Sequence, residues 1–232
     1  MEELYKTEYM ILITDGFEKV VIKKMDKKSL SDSEKEICSI FKLSMNIFDE
    51  LETLNFIPNF LANVPLKESL DEYLVDEYKY LVYHIENHII RVISVLDKCS
   101  LLISELYDLD IKDERCSCSK IIYEFKDHLS VKTYKYLNQF YINTRYIREI
   151  RNHFIHRGKF HDEKLNKLSD YAFLNRRGNK DLITDNILRE IQGFNYFDYF
   201  CKLTENNKVI FNYLTLLFNS LVPKLKGKIT AN

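Results

Sequence analysis

The sequence predicts a mainly α protein: an up-and-down bundle with two long helices, several shorter ones, and a small β-hairpin at the N-terminus. Three observations carry that expectation. Gly and Pro number only 5 and 3 in 232 residues, too few for the many turns of an all-β fold or for a disordered chain. Apolar residues make up 46% and charged residues 30%, which suits amphipathic helices around a sizeable core. From Leu66 to Leu109 there is no Gly or Pro at all, and apolar residues recur there at helical spacing.

Taken in order, the first element is the exception. Tyr9 to Thr14 and Phe17 to Ile22 are apolar, β-branched runs on either side of Asp15-Gly16. Such a pair between such runs signals a hairpin, which would have to pack on the helical body to be stable. Ser31 and Glu34 then form a capping box. Ile37, Ile40, Phe41, Ile47, Phe48 and Leu51 follow at helical period. Pro58 and Pro65 bracket an expected loop. Leu70, Leu74, Leu81, Ile85, Ile89, Val92, Ile93 and Leu96 mark the first long helix, with a break expected near Lys98. Asp110 to Ser119 is polar and turn-like.

The second long helix is expected from Ser130 to Arg157, with the stripe Leu137, Phe140, Ile147, Ile150 and Phe154. Gly158 supplies a left-handed residue just past its end. A shorter helix fits Asp162 to Leu174, and Asn175 to Lys180 reads as a loop. Two more fit Asp181 to Leu203, with Gly193 as an interruption, and Glu205 to Val222, stopped by Pro223. No repeat or linker divides the chain. A single domain over 1–232 is expected, with residues 1–30 as hairpin or extension and 31–222 as helical body.

Net charge is −1, from 34 basic and 35 acidic residues, so the chain as a whole is not a basic nucleic-acid binder. Local charge differs. Between Arg145 and Lys159, five basic residues (Arg145, Arg148, Arg151, Arg157, Lys159) face one acid, Glu149. That patch is a candidate anion site. The five cysteines are odd in number and irregular in spacing; reduced thiols in the cytoplasm are expected. Cys116-Ser117-Cys118 lacks a second pair at zinc spacing. No apolar run reaches the roughly 20 residues that span a bilayer, and no signal-peptide pattern begins the chain.

Arg151-Asn152-His153-Phe154-Ile155-His156-Arg157-Gly158 holds the chemistry. On a helix, Phe154 belongs to the apolar stripe, while Arg148, Asn152 and His156 share another face, so that Asn152 can orient His156. A guanidinium, an amide and an imidazole suit RNA cleavage by the 2′-hydroxyl. The imidazole titrates near neutrality and can take the proton, and the guanidinium stabilises charge on the phosphate. No metal or other cofactor is needed. Because Arg151 and His156 diverge around the helix, two copies in a homodimer would complete one cleft.

Arg151-Asn152-x-x-x-His156 resembles the R-x(4–6)-H motif of HEPN domains (the higher eukaryote and prokaryote nucleotide-binding family), in which a polar residue often follows the Arg. The setting resembles that family too: two long helices, the motif late in the second, and shorter helices after it. The resemblance covers residues 31–222. It implies a dimeric helical bundle acting as a metal-independent endoribonuclease, in a toxin–antitoxin or phage-defence setting with an antitoxin or defence partner. Arg151 would bind phosphate, His156 would be the acid/base and Asn152 the polar partner, with Arg148, His153, Arg157 and Lys159 on the RNA. Arg148-x4-His153 satisfies the same spacing and stays open. So does a non-catalytic HEPN-like protein that binds RNA or a protein partner.

Other groupings compete. His153, His156 and His161, with Asp162, read as a metal clasp. His84 and His88, one turn apart with Glu86, Asn87 and Arg91, read first as a polar face on a packed helix. Tyr134, Tyr136, Tyr141 and Tyr146 read as core or dimer aromatics, or as base-stacking rings. Arg176-Arg177 is a further candidate phosphate contact.

Overall fold

The computed structural model describes residues 2–63, 77–158, 160, 162–176 and 196–230. Among these are nine α-helices and no strand: α1 (Glu2–Tyr5), α2 (Glu8–Met25), α3 (Asp32–Ala62), α4 (Glu77–Leu106), α5 (Cys118–Glu124), α6 (Val131–Asn143), α7 (Arg145–Arg157), α8 (Glu163–Arg176) and α9 (Tyr196–Thr230). Short 3-10 turns flank α5. The mainly α expectation holds. The residues expected to form the loop at Pro65, the start of the long helix at Leu70 and Leu74, the loop 177–180 and the helix from Asp181 with Gly193 lie outside the described residues. No described helix is long and apolar enough to cross a membrane.

The N-terminal hairpin is not there; Asp15-Gly16 sits in the middle of α2. Thr7 caps that helix, its hydroxyl accepting from the Met10 N–H at 3.4 Å. Tyr9, Ile13, Gly16 and Val20 are all buried, which is a helical stripe with a glycine in it. Gly16 packs near Ile37 and Ile229, with room for a Cβ at ordinary contact distance, and the backbone does not turn there. The capping box is realised: the Glu34 N–H donates to Ser31 Oγ at 3.2 Å and the Ser31 N–H to Glu34 Oε2 at 2.7 Å.

Prolines mislead in the same way. Pro58 lies inside α3 and Pro223 inside α9, so neither ends its helix, and α9 also runs through the break expected after Leu203. Each lacks an N–H for the ladder, but apolar burial continues on both sides: Leu54, Ile57 and Leu61 around the first, Leu221, Val222 and Leu225 around the second. The opposite happens at Thr144, where the single helix expected over 130–157 divides into α6 and α7. Thr144 is buried at the junction, its N–H and its hydroxyl both donating to the Phe140 carbonyl, at 3.1 Å and 2.9 Å. No break occurs near Lys98.

The chain forms two compact units. The first takes residues up to Thr53, Arg91–Arg145, and those from Asn207 on. Its centre is aromatic: Phe218 stacks on Tyr9 at 5.0 Å and on Phe48 at 5.8 Å, and Tyr9 Oη bonds Ser44 Oγ at 2.9 Å. Glu50, buried on α3, binds three groups of α4: Arg91 Nη1 at 2.6 Å, Lys98 Nζ at 2.7 Å and Ser94 Oγ at 2.9 Å. Lys228 of α9 pairs with Glu36 and Asp108. The second unit takes Leu54–Ile90 and Tyr146–Asn206. Its core joins Ile57 and Leu61 of α3, Tyr78, Leu81, Ile85 and Ile89 of α4, Phe154 of α7, Leu165 of α8, and Tyr199 and Leu203 of α9.

Two outcomes follow. A Cβ at residue 16 would approach nothing closer than 3.5 Å, so Gly16→Ala removes a mid-helix glycine without a clash and raises stability by about 0.5–1 kcal/mol, read as a higher melting temperature. Burial raises the Glu50 pKa, but the bonds from Lys98, Arg91 and Ser94 outweigh it and hold the carboxyl below its ordinary value of 4.5. Its contribution is therefore complete above about pH 4.5 and lost as pH falls through the lower folded value. Glu50→Ala costs about 1–3 kcal/mol at neutral pH by removing the bonds that a buried carboxylate makes to two partly exposed cations and a hydroxyl, and flattens the acid limb of a denaturation profile.

Candidate functional site

The motif helix α7 is held by one face. Phe154 is buried, and Ile147 and Ile150 pack partly buried on the core of the second unit. That placement turns Asn152, His153, Ile155 and His156 outward, all exposed, with Arg148 and Arg151 half-buried at the flank. The backbone of Arg157 is helical, but its side chain, and Lys159 and His161 altogether, lie outside the described residues.

Asn152 does not act as expected. Its Oδ1 accepts from Arg151 Nη1 at 3.1 Å, so the amide holds the guanidinium of its chain neighbour rather than orienting His156. This bond occupies one of the five N–H donors of the Arg fork. His153 and His156 both stand exposed, and their burial does not choose between them.

The end of α7 is made by Gly158, at φ +111°, as the sequence suggested. Its N–H closes the last turn on the Phe154 carbonyl at 3.0 Å. The departing chain is then tied down. The Phe160 N–H donates to Glu86 Oε1 on α4 at 3.0 Å. Asp162 caps α8, accepting from the Leu165 N–H at 3.1 Å and from Tyr199 Oη at 2.7 Å. Burial, and then the bond to Asp162, push the Tyr199 hydroxyl pKa up. Asp162, read from sequence beside the metal clasp, is thus engaged as a cap. Among the described residues no cluster of His, Cys, Asp or Glu could hold a metal ion. Glu86 was not singled out for this role, and no local signal marks it; Asp162 was legible as an N-cap residue.

The other pairs are structural in part. His84 and His88 are buried, at 8% and 1% exposure, which agrees with the packed-face reading. Arg91 belongs to the Glu50 network in the first unit. Tyr146 is exposed, at 71%.

A family model described as HEPN_Cthe2314-like HEPN matches residues 41–221. The chain belongs to this HEPN family. Neither the curated proteins nor the solved structures give a match. The HEPN match opens inside α3 and closes inside α9, so it contains Arg151, Asn152, His153 and His156 and leaves α1 and α2 outside.

A Cβ at Gly158 would meet nothing within 4 Å, yet Gly158→Ala is expected to destabilise this HEPN chain by about 1–2 kcal/mol, from the left-handed backbone alone. A denaturant titration checks this, and the sign is opposite to that of Gly16→Ala.

Proposed function

We propose that this HEPN protein is a metal-independent endoribonuclease acting on cytoplasmic RNA as a homodimer, in the manner of a toxin or phage-defence effector. The observation that carries the reading is the bonded Arg151–Asn152 pair on α7, with His156 and His153 exposed on the same motif. His156 takes the 2′-hydroxyl proton, and the 2′ oxygen attacks the adjacent phosphorus. The bond from phosphorus to the 5′ oxygen breaks, and that oxygen is protonated as it leaves. Arg151, steadied by Asn152, stabilises the charge gathering on the non-bridging oxygens. Arg148, Arg157 and Lys159 hold flanking phosphates, with His153 beside them.

The homodimer reading has its own support. Ile155, next to His156, is 48% exposed. An apolar side chain open to solvent beside charged chemistry suits a face that a second copy covers, bringing a second motif to one linkage. An antitoxin or defence partner would control such an enzyme by occupying this face.

The test is RNA cleavage by the full chain in EDTA. Wild type is expected to cleave. His156→Ala and Arg151→Ala each lose at least about 100-fold in rate with unchanged circular dichroism and sedimentation. Asn152→Ala loses less, because Arg151 remains. Loss with His153→Ala instead of His156→Ala would move the base to His153. Intact RNA that is nevertheless bound would return the protein to the non-catalytic binding reading.

A further inference from the structure

The second unit carries a cluster of rings that its core does not use. Phe56 and Phe60 lie one turn apart near the end of α3, and Tyr80, Tyr83 and His84 near the start of α4. The His84 imidazole is the hub. Phe60 stacks on it at 4.8 Å and 13°, while Tyr80 and Tyr83 meet it edge-on at 4.5 Å and 5.2 Å. His84 is 8% exposed, and its buried Nδ1 has no hydrogen-bond partner. Burial lowers the pKa of this imidazole from its ordinary value. Tyr80 Oη donates to the Phe60 carbonyl at 3.2 Å, which ties the two helices at that place.

The rings around the hub remain open. Phe56, Phe60 and Tyr83 are 57%, 47% and 64% exposed. Three large aromatic side chains, each about half exposed, forgo burial that a core would return. Phe60 cannot retreat, because its ring and its carbonyl are both engaged. From Leu54 to Asn63 the chain has no charged residue, and its polar groups are the amides of Asn55, Asn59 and Asn63.

We propose that this cluster is a base-stacking subsite for single-stranded RNA, in which Tyr83, Phe60 and Phe56 take nucleobases on their faces and the nearby amides meet base edges. Rigid rings with open faces stack any base, amides bond base edges, and an uncharged stretch suits the bases rather than the phosphates. The proposal rests on the RNA reading of the motif that the same unit carries, and deepens it by adding a place for bases to the one for phosphate.

The experiment uses the full chain and a fluorescein-labelled single-stranded DNA oligonucleotide, which lacks the 2′-hydroxyl and is not cut. Phe56→Ala/Tyr83→Ala is expected to weaken its binding about tenfold or more, while Tyr83→Phe, which keeps the ring, binds as wild type does. An abasic oligonucleotide of the same length binds wild type and the double variant equally weakly. Thermal melts check that the double variant folds. Equal binding of the base-bearing oligonucleotide by wild type and the double variant overturns the proposal. So does a shift of the double variant from dimer to monomer with oligonucleotide binding unchanged, which reassigns the rings to a protein contact. Cleavage of RNA by wild type is measured on the same preparation. Cleavage with ring-independent binding sinks the stacking subsite alone, ring-dependent binding without cleavage sinks the nuclease alone, and neither cleavage nor binding sinks both.

Discussion

The burial of Phe154, with Ile147 and Ile150 beside it, is the constraint on which the rest of the motif depends. A helix whose apolar stripe belongs to a core shared with α3, α4, α8 and α9 resists rotation, because turning it would carry polar Asn152 or His153 toward that core. The positions between the stripe residues therefore face outward by geometry. Chemistry-bearing side chains can occupy them with little effect on folding, and the motif does so. Phe154 sits between His153 and Ile155 in sequence but opposite to them in space.

That logic made much of the molecule legible from its residues. Helical periodicity found the stripe of α7 and most of α3 and α4, since each buries one face and the apolar spacing is the direct record of that burial. Ser31 and Glu34 were readable because a capping box is local: both partners and both bonds lie within four residues. Arg151, Asn152 and His156 were singled out by spacing and side-chain type, and their positions fall within the span of the HEPN match.

What was not legible has a common cause. Gly16, Pro58 and Pro223 carry strong local signals for a turn or a helix end, yet each sits inside a helix whose neighbours on both sides are buried. Tertiary packing overrides a local preference of a few kcal/mol when several apolar side chains depend on the helix continuing. Thr144 is the reverse case, a break between α6 and α7 inside a continuous apolar stripe, with no glycine or proline to mark it. At the site, Asn152 could reach either along the helix or to its chain neighbour, and only coordinates distinguish these. The grip of Glu86 on residue 160 and the rings around His84 join parts of the chain too far apart for any window of sequence to connect.

The bond from Glu86 to the chain beyond α7 reads a main-chain N–H, not a side chain. Any substitution at 160 except proline, which has no hydrogen to give, keeps that tether, while the packing of Phe160 on the core is a separate contribution. Position 86 has no such latitude, since it must keep an acceptor long enough to reach. A single acid on one helix thereby anchors the exit from another, and fixes the place where the chain departs from the motif.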